Sequence, residues 1–315
     1  MLVLLALALL SGCGSCGAKA DVPPTPSGTV GDVMGINEAI SIPTRLVPSL
    51  SSEERLTFID KRISETKALG VRHVRLHNAS YPFLSWHGQT KKGHHQADEV
   101  LRRILAADLE PLVIIGPWPG NAPAAVTHRY LPDDLEAYAK WVTTTVERYD
   151  GDGVEDAPNL TRGVHLWEVD NEPDLHNRVP PKGSKKIDFN PKHFSTPAEY
   201  SQIWQTTHAA IIAADPSAKV LPAGLAREDA RYSPISKLHN IHIYRERAAP
   251  VWQAAPISPE LWITEVSTPS ISPQTEHSQA IDLADLFLGA LRRRVKRLYW
   301  HSLVEPPDYY TPRLP

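Results

Sequence analysis

Residues 165–177, HLWEVDNEPDLHN, change abruptly from an apolar strand to a cluster of polar residues. The segment from His165 to Val169 has the composition of a buried strand, and Asp170, Asn171 and Glu172 follow it at once. The next residue is a proline, which restricts the backbone of the residue before it. Such a transition is typical of folds in which strands present functional groups at their carboxyl ends.

Seven other short apolar runs resemble this strand, and amphipathic segments separate them. The predicted strands are Asp32–Asn37, Val71–His77, Pro111–Ile115, Val164–Val169, Lys219–Ala223, Asn240–Tyr244, Leu261–Glu265 and Arg297–Ser302. The predicted helices are Ser52–Leu69, Ala97–Ala107, Pro132–Tyr149, Pro197–Ala214 and Glu276–Arg293, with short or absent helices after the fifth and sixth strands. Eight such units predict an α/β fold, the (β/α)8 TIM barrel. An open doubly wound sheet is the alternative, but no Gly-rich phosphate loop follows the first strand.

The composition is that of a globular protein with a large core. The 315 residues are 42% apolar and 22% charged, which fits one domain behind a leader. The net charge is −3, with acidic and basic residues interspersed. Nucleic acid is therefore not an expected partner, and we expect a monomer.

The first residues resemble an export signal. The apolar run Leu2–Leu10 is too short to cross a bilayer, and the following Ser-Gly-Cys13 completes a resemblance to the lipobox of bacterial lipoproteins. This implies cleavage before Cys13 and a lipid anchor on its thiol, on the periplasmic or cell-surface side of a membrane. We predict a signal peptide at 1–13, a flexible tether at 14–30 and the barrel at 31–315. No basic residue precedes the apolar run, so plain secretion stays open.

Polar or aromatic groups follow six of the eight predicted strands. They include Arg75, His77, Trp118, Asn171, Glu172, His242, Tyr244, Glu265 and Trp300. Glu172 and Glu265 lie three strands apart and should face each other across the barrel mouth. Opposed carboxylates in a cleft are what glycoside hydrolysis requires, because one protonates the leaving oxygen and the other attacks the sugar or stabilises its cation.

Two segments carry a resemblance to a known clan of enzymes. Trp167-Glu168-Val169-Asp170-Asn171-Glu172-Pro173 resembles the strand-four motif of the (β/α)8 retaining glycosidases that include cellulases, mannanases, xylanases and β-xylosidases. Leu261-Trp262-Ile263-Thr264-Glu265 is similar to the strand-seven motif of that clan, and the positions of His242, Tyr244 and Trp300 also match. A lone Asn-Glu-Pro could merely cap a helix, but the second Glu at the matching strand end favours a functional site.

The resemblance implies a retaining glycoside hydrolase that cleaves a β-linked glycan or oligosaccharide by double displacement, without a catalytic cofactor. Glu172 would be the acid/base, Glu265 the nucleophile, and Asn171 the ligand of the sugar 2-hydroxyl. We expect Arg75 to hold Glu265 in its ionised form and Tyr244 to donate a hydrogen bond to it. As an alternative, Arg75 only neutralises a buried Glu.

Aromatic side chains at strand ends can stack on sugar rings. By the same resemblance Trp300 would form the floor of the reacting-sugar subsite. Trp86 and Trp118 are candidates for neighbouring subsites, or for ordinary core residues.

An acidic loop suggests a structural calcium ion. Asp150, Asp152 and Asp156 occupy positions one, three and seven of a calcium-loop pattern, but position twelve is Thr161 rather than Glu. The loop precedes the fourth predicted strand, on the face opposite the expected active site, and an ordinary Asp-Gly turn is the alternative. A catalytic metal is not expected, because the first predicted strand lacks a His-x-His pair.

The sequence departs from a complete barrel near its end. The chain stops at Pro315, so the eighth helix is expected to be absent or replaced by the Pro-rich segment Glu305–Pro315. An open seam would expose apolar surface. The alternative from another functional class is therefore a surface lipoprotein that binds glycans on a degenerate, catalytically weak barrel.

Overall fold

The computed structural model describes residues 30–37, 51–78, 81–86, 93–117, 131–174, 195–234, 238–245, 247–256, 258, 260–270 and 275–301. The strands are β1 (Met34–Asn37), β2 (His73–Asn78), β3 (Tyr81–Pro82), β4 (Leu84–Ser85), β5 (Glu110–Gly116), β6 (Leu166–Val169), β7 (Lys219–Pro222), β8 (Leu238–Tyr244), β9 (Glu260–Ser267) and β10 (Arg297–His301). The helices are α1 (Ser52–Ala68), α2 (Gly93–Ala106), α3 (Leu135–Glu147), α4 (Pro197–Ala214), α5 (Ala248–Ala254) and α6 (Glu276–Arg292).

Eight of the strands form a parallel sheet that curves into a nearly closed barrel. Their order is β7-β6-β5-β2-β1-β10-β9-β8, and the two-residue strands β3 and β4 pair with β2 and β5. The eight barrel strands coincide with the eight predicted from apolar runs, which confirms the (β/α)8 fold class. Apolar runs predict these strands well because a parallel strand is buried on both faces.

The barrel closes between β7 and β8, where the backbone pairing is short. Among the described residues, β7 and β8 are joined through a bridge at Leu225, which lies after β7. Its amide donates to the Asn240 carbonyl at 3.0 Å, and its carbonyl accepts from the amide of His242 at 2.9 Å. In the described part of the chain, the backbone pairing between the segment after β7 and β8 therefore rests on this one residue.

Four of the helices, α1, α3, α4 and α6, begin at side-chain caps that the sequence supplies. Ser51 and Glu54 form a capping box at α1, and Thr196 and Glu199 form one at α4, where Pro197 occupies the first turn. After β7 the described chain has a 3-10 turn at Ala230–Tyr232, and after β8 it has the seven-residue α5. The predicted weakness of these two helices is confirmed, whereas residues 302–315, which bear on the eighth helix, lie outside the described part of the chain.

Within the described residues, no helix has the length and apolarity needed to cross a membrane.

The barrel interior is filled at its amino-terminal end by side chains from five strands. They are Leu112, Leu221, Leu238, Trp262 and Tyr299. Gly35 makes room for this layer, since a Cβ at that position would lie 2.2 Å from the Tyr299 ring. This apolar layer therefore closes the amino-terminal end of the barrel, and the polar residues at the carboxyl end lie above it.

Candidate active site

The backbone after β6 is bent by two residues in the left-handed region. Asp170 has φ 68° and Glu172 has φ 48°, backbone conformations that residues other than glycine rarely adopt. Strand β5 and the segment after β7 hold this bend, because the Asp170 amide donates to the Ile115 carbonyl at 3.0 Å and the Glu172 amide to the Gly224 carbonyl at 3.1 Å. Strain of this kind costs about 1–3 kcal/mol per residue and clusters at functional sites. The abrupt end of the strand thus aims Asn171 and Glu172 into the barrel mouth.

Arg75 lies at the centre of this region with no exposure to solvent. Its guanidinium donates two hydrogen bonds to Glu168, at 2.6 and 2.9 Å, and one to Glu265 at 2.8 Å. It also donates to the side-chain oxygens of Asn37 at 3.1 Å and Asn171 at 2.8 Å. Burial opposes the charge of Arg75, but the carboxylates of Glu168 and Glu265 outweigh it and raise the arginine pKa above its usual value. Arg75 therefore contacts Glu265 and also neutralises a buried Glu.

The two candidate catalytic carboxylates, of Glu172 and Glu265, both lie next to the ring of His242. One carboxylate oxygen of Glu172, one of Glu265 and a ring nitrogen of His242 all lie within 4.8 Å of one another. His242 Nδ1 is 2.8 Å from Glu172 Oε1 and 3.5 Å from Glu265 Oε2. Tyr244 donates to the second oxygen of Glu265 at 2.5 Å. The two glutamates are therefore adjacent at the carboxyl end of the barrel, where the sequence places them.

A β-bulge in β9 contributes to this arrangement. Ile241 pairs with Ile263, but the next residue of β8, His242, pairs with Glu265, so that Thr264 has no partner in the register. Bulges re-aim side chains and occur near active sites. Here the bulge lets Thr264 contact His242 while Glu265 contacts Arg75.

Glu168 was not singled out from the sequence, although it lies within the strand-four motif. Its side chain has no solvent exposure, and besides Arg75 it accepts hydrogen bonds from the Gly224 amide at 2.9 Å and from Asn240 Nδ2 at 3.2 Å. A Glu in an apolar strand was the available signal, because a charge on a strand buried on both faces requires partners.

Asp174 is a second residue that sequence reasoning missed. Its carboxylate is 1% exposed and accepts from the amides of Ala226 at 2.9 Å and Arg227 at 2.8 Å. It thereby ties the segment after β6 to the segment after β7. Its position two residues beyond Glu172, within the segment 165–177, was the only sequence signal.

The aromatic candidates have different surroundings. Trp300 is 8% exposed and packs in the main hydrophobic core at the end of β10. Trp86 packs edge-on against Tyr138 of α3, with ring centroids 5.7 Å apart, and contacts the same core. Trp118 and the side chain of His77 lie outside the described residues, as does Cys13.

The acidic loop lies on the opposite face, between α3 and β6. Asp156 accepts hydrogen bonds from the amides of Gly151 at 3.0 Å and Gly153 at 2.9 Å, as a turn-forming aspartate does. The carboxylates of Asp150 and Asp152 instead group with Glu147, with ligand oxygens within 4.8 Å of one another. Burial, together with the neighbouring acidic residues, raises the pKa of Asp150 from its usual 3.8 to about 6.

Comparisons by structure place the chain among barrel proteins. A glucosidase from Croceicoccus marinus superposes with a TM-score of 0.60 at 16% identity, over 88% of this chain and 60% of that one. An exo-β-1,4-mannosidase from Opitutaceae bacterium strain TAV5 gives 0.58 at 15% identity, over 89% and 53%. A family 39 glycoside hydrolase from Bacteroides cellulosilyticus WH2 gives 0.56 at 14% identity, over 90% and 60%.

The chain thus spans between about half and three-fifths of the length of these structures. No protein-family model matches the sequence, and no curated protein sequence matches it. The structural similarities confirm that the chain has the (β/α)8 barrel found in glycoside hydrolases, which is the fold that the resemblance implies.

Proposed function

We propose that this protein is a retaining glycoside hydrolase that acts on the O-glycosidic bonds of a β-linked glycan or oligosaccharide. The observation that carries the proposal is the pair of carboxylates, Glu172 and Glu265, of which one oxygen each lies within 4.8 Å of the other at the carboxyl end of the barrel. Retaining glycosidases have their carboxyl groups about 5–5.5 Å apart, and inverting ones about 6.5–9.5 Å. The approach of these two oxygens is closer than the inverting range, which supports direct attack by a carboxylate rather than by water.

Each glutamate has surroundings that suit one role. Arg75 and Tyr244 both donate hydrogen bonds to Glu265, and donors of this kind stabilise a carboxylate that must attack as an anion. Glu172 makes no such contact with Arg75 and faces His242 instead. We therefore assign Glu265 as the nucleophile and Glu172 as the acid/base.

Asn171 supports the same assignment. Because its side-chain oxygen accepts from Arg75, its amide nitrogen is the group that can donate to a sugar 2-hydroxyl, a contact that strengthens in the transition state. Trp300 and Trp118 are proposed to contact sugar rings. We further propose that the protein is exported and carries a lipid on Cys13.

Aryl β-glycosides test the function directly. Glu265→Ala should abolish turnover because no covalent glycosyl-enzyme can form. Glu172→Ala should still be glycosylated by a 2,4-dinitrophenyl β-glycoside, whose leaving group needs no proton, and should then stall. Azide should restore turnover in this variant alone and yield a β-glycosyl azide. The measurements are phenol release and the NMR spectrum of the sugar product.

Glu260→Ala is the matched control, since Glu260 lies on the same strand at the other end of the barrel and should keep wild-type activity. An α-configured azide would contradict double displacement. Glycan binding without any phenol release would instead favour the alternative, a glycan-binding lipoprotein on a degenerate barrel.

A further inference from the structure

Glu168 connects the two candidate catalytic glutamates, although it contacts neither directly in the bonds described above. Its carboxylate lies within the barrel, at the centre of contacts from β2, from β8 and from the segment after β7. One oxygen accepts from Arg75 Nε, and the other accepts from Arg75 Nη2, the Gly224 amide and Asn240 Nδ2. Two chains of hydrogen bonds lead away from it.

The first chain is short. Arg75 is held in one orientation by its two bonds to Glu168, and its remaining donors then reach Glu265 and Asn171. A bidentate pair fixes the plane of a guanidinium. Glu168 therefore determines the direction from which the positive charge approaches the nucleophile.

The second chain fixes the position of hydrogen atoms. Asn240 Nδ2 faces two groups that only accept, a Glu168 oxygen and the Pro222 carbonyl at 2.8 Å. Its side-chain oxygen therefore faces Thr264 and must accept the Thr264 hydroxyl hydrogen, at 2.8 Å. A hydroxyl has one hydrogen, so the Thr264 oxygen can only accept from His242 Nε2, at 3.1 Å.

This chain sets the protonation pattern of His242. Since Nε2 carries a hydrogen, Nδ1 of the neutral ring is bare and faces Glu172 Oε1 at 2.8 Å. A hydrogen bond between these two atoms requires one proton, carried by Glu172 when the ring is neutral and by Nδ1 when the ring is cationic. Both arrangements have no net charge, and the one without separated charges is a protonated Glu172 beside a neutral ring, which is the form that a general acid needs.

Two further features preserve the contact between Thr264 and His242. The bulge in β9 leaves Thr264 without a register partner and so allows its side chain to reach the imidazole. A Cβ at Gly224 would lie 2.1 Å from His242 Nε2 and 2.6 Å from Thr264 Oγ1. Only glycine leaves this space open.

We propose that Glu168 is a positioning residue for both glutamates: through Arg75 it orients Glu265, and through Asn240, Thr264 and His242 it fixes the proton shared with Glu172. The inference rests on the proposed function and names the residues that position the proton of its general acid, Glu172. Within the described ranges, the titratable or charged groups around His242 are Glu172, Glu265 and Tyr244, with Glu168 and Arg75 one contact further away.

Thr264→Val tests the second chain without removing a charge. Once the hydroxyl is lost, Nε2 has no acceptor and the ring can present a hydrogen to Glu172. The value of kcat/KM for a β-glycoside with a poor leaving group should fall about 10-fold or more, because general acid catalysis contributes on the order of 100-fold or more. The value for the 2,4-dinitrophenyl β-glycoside should stay near that of the wild type. Thr264→Ser, which keeps the hydroxyl, should have a kcat/KM near that of the wild type for the substrate with the poor leaving group.

An equal loss on both substrates would overturn the proposal, since a merely structural residue affects every substrate alike. Glu168→Gln should lower kcat/KM for both substrates, because it disturbs the Arg75 chain as well. A selective loss in that variant would contradict the first chain. If Glu168→Gln does not fold, the pair of Thr264 variants still decides the role of the second chain.

A spectroscopic measurement separates this inference from the proposed function. In protein labelled with 15N at histidine, the His242 signals are assigned by their loss in His242→Gln. Nε2 of His242 should be protonated in the wild type, and Thr264→Val should lose that preference. A neutral ring with its hydrogen on Nδ1 in the wild type would overturn the inference. If no aryl β-glycoside is cleaved, the proposed function fails while this measurement still judges the hydrogen-bond chain.

Discussion

Arg75 is a fully buried cation placed between two carboxylates, and its partners determine whether it stabilises the fold. Removing a charge of this kind from water costs several kcal/mol, which the attraction to Glu168 and Glu265 offsets only while the geometry is kept. Arg75 uses the planar fork of its guanidinium to reach four side chains at once. A lysine in the same place would present a compact charge that cannot bond in the same directions.

Arg75→Lys should therefore damage both folding and catalysis. The free energy of unfolding should fall by about 3 kcal/mol, because a buried carboxylate loses its partner. Misorientation of Glu265 should lower kcat/KM on the order of 100-fold. Denaturant unfolding and initial rates on an aryl β-glycoside measure the two effects.

Arg103→Lys is the matched control for this change. Arg103 pairs with Asp60 on the outer helices, where the acid is exposed, and its replacement should change stability by about 0.5 kcal/mol or less. An Arg75→Lys protein as stable and active as this control would contradict the role assigned to Arg75.

Some site residues can be predicted from the sequence and others cannot, for a physical reason. Glu172 and Glu265 stand at strand ends next to recognisable motifs, so they are predictable. Arg75 was expected to hold Glu265, with a buried Glu as the alternative partner; the sequence marks Glu168 only as a charge in an apolar strand and does not pair it with Arg75. Its contacts come from β2, from β8 and from Gly224, which are brought together only when the barrel closes.

At the scale of elements, the barrel strands were predictable and the smaller irregularities were not. Strands buried on both faces read as apolar runs, and α4 has the predicted bounds Pro197–Ala214 because a capping box with proline marks its start. The short strands β3 and β4 contain two residues each, too few to show a period. The bulge at Thr264 depends on the register of β8 against β9, which the sequence of β9 alone does not specify.

The acidic loop before β6 offers a prediction with a definite pH dependence. The folded protein raises the pKa of Asp150 from 3.8 to about 6, so it binds a proton more tightly than the unfolded chain. The contribution of Asp150 to the free energy of unfolding should therefore fall as the pH rises from about 4 to about 6 and stay low above that range. Without divalent cations, Asp150→Asn should raise the melting temperature at pH 7.

Calcium should reverse this order if the loop binds the ion, as the positions of its aspartates suggest. The ion would stabilise the charged form of Asp150, so it should raise the melting temperature of the wild type and leave Asp150→Asn unchanged. Asp133→Asn, the same change at an exposed site, should respond to neither pH nor calcium in this way. A wild-type melting temperature that is the same with calcium and with chelator would leave residues 150–156 as an ordinary turn.

At the scale of the whole molecule, the barrel confirms the fold inferred from the sequence, while the proposed anchor concerns residues outside the described part of the chain. A thioether-linked lipid on Cys13 would hold the domain at a membrane surface through the tether at 14–30. No feature of the barrel itself is needed for this attachment. The anchor and the barrel can therefore be tested separately.

Cys13→Ala should release the protein from the membrane fraction of the producing cell, because the thiol that would carry the lipid is lost. Fractionation followed by immunoblotting measures the distribution. Cys16→Ala removes the other cysteine of the chain and should leave the protein attached. A Cys13→Ala protein that stays membrane-bound with its signal uncleaved would contradict the lipobox interpretation.

The single-residue closure at Leu225 has a consequence for the motions of the protein. Local opening is easiest where few hydrogen bonds must break together, and here the two backbone bonds of one residue join neighbouring strands. The amide of His242 is one of those two donors. Opening of the barrel at this seam would therefore move the His242 ring away from Glu172, so the same seam would govern how long the proposed acid keeps its contact with that ring.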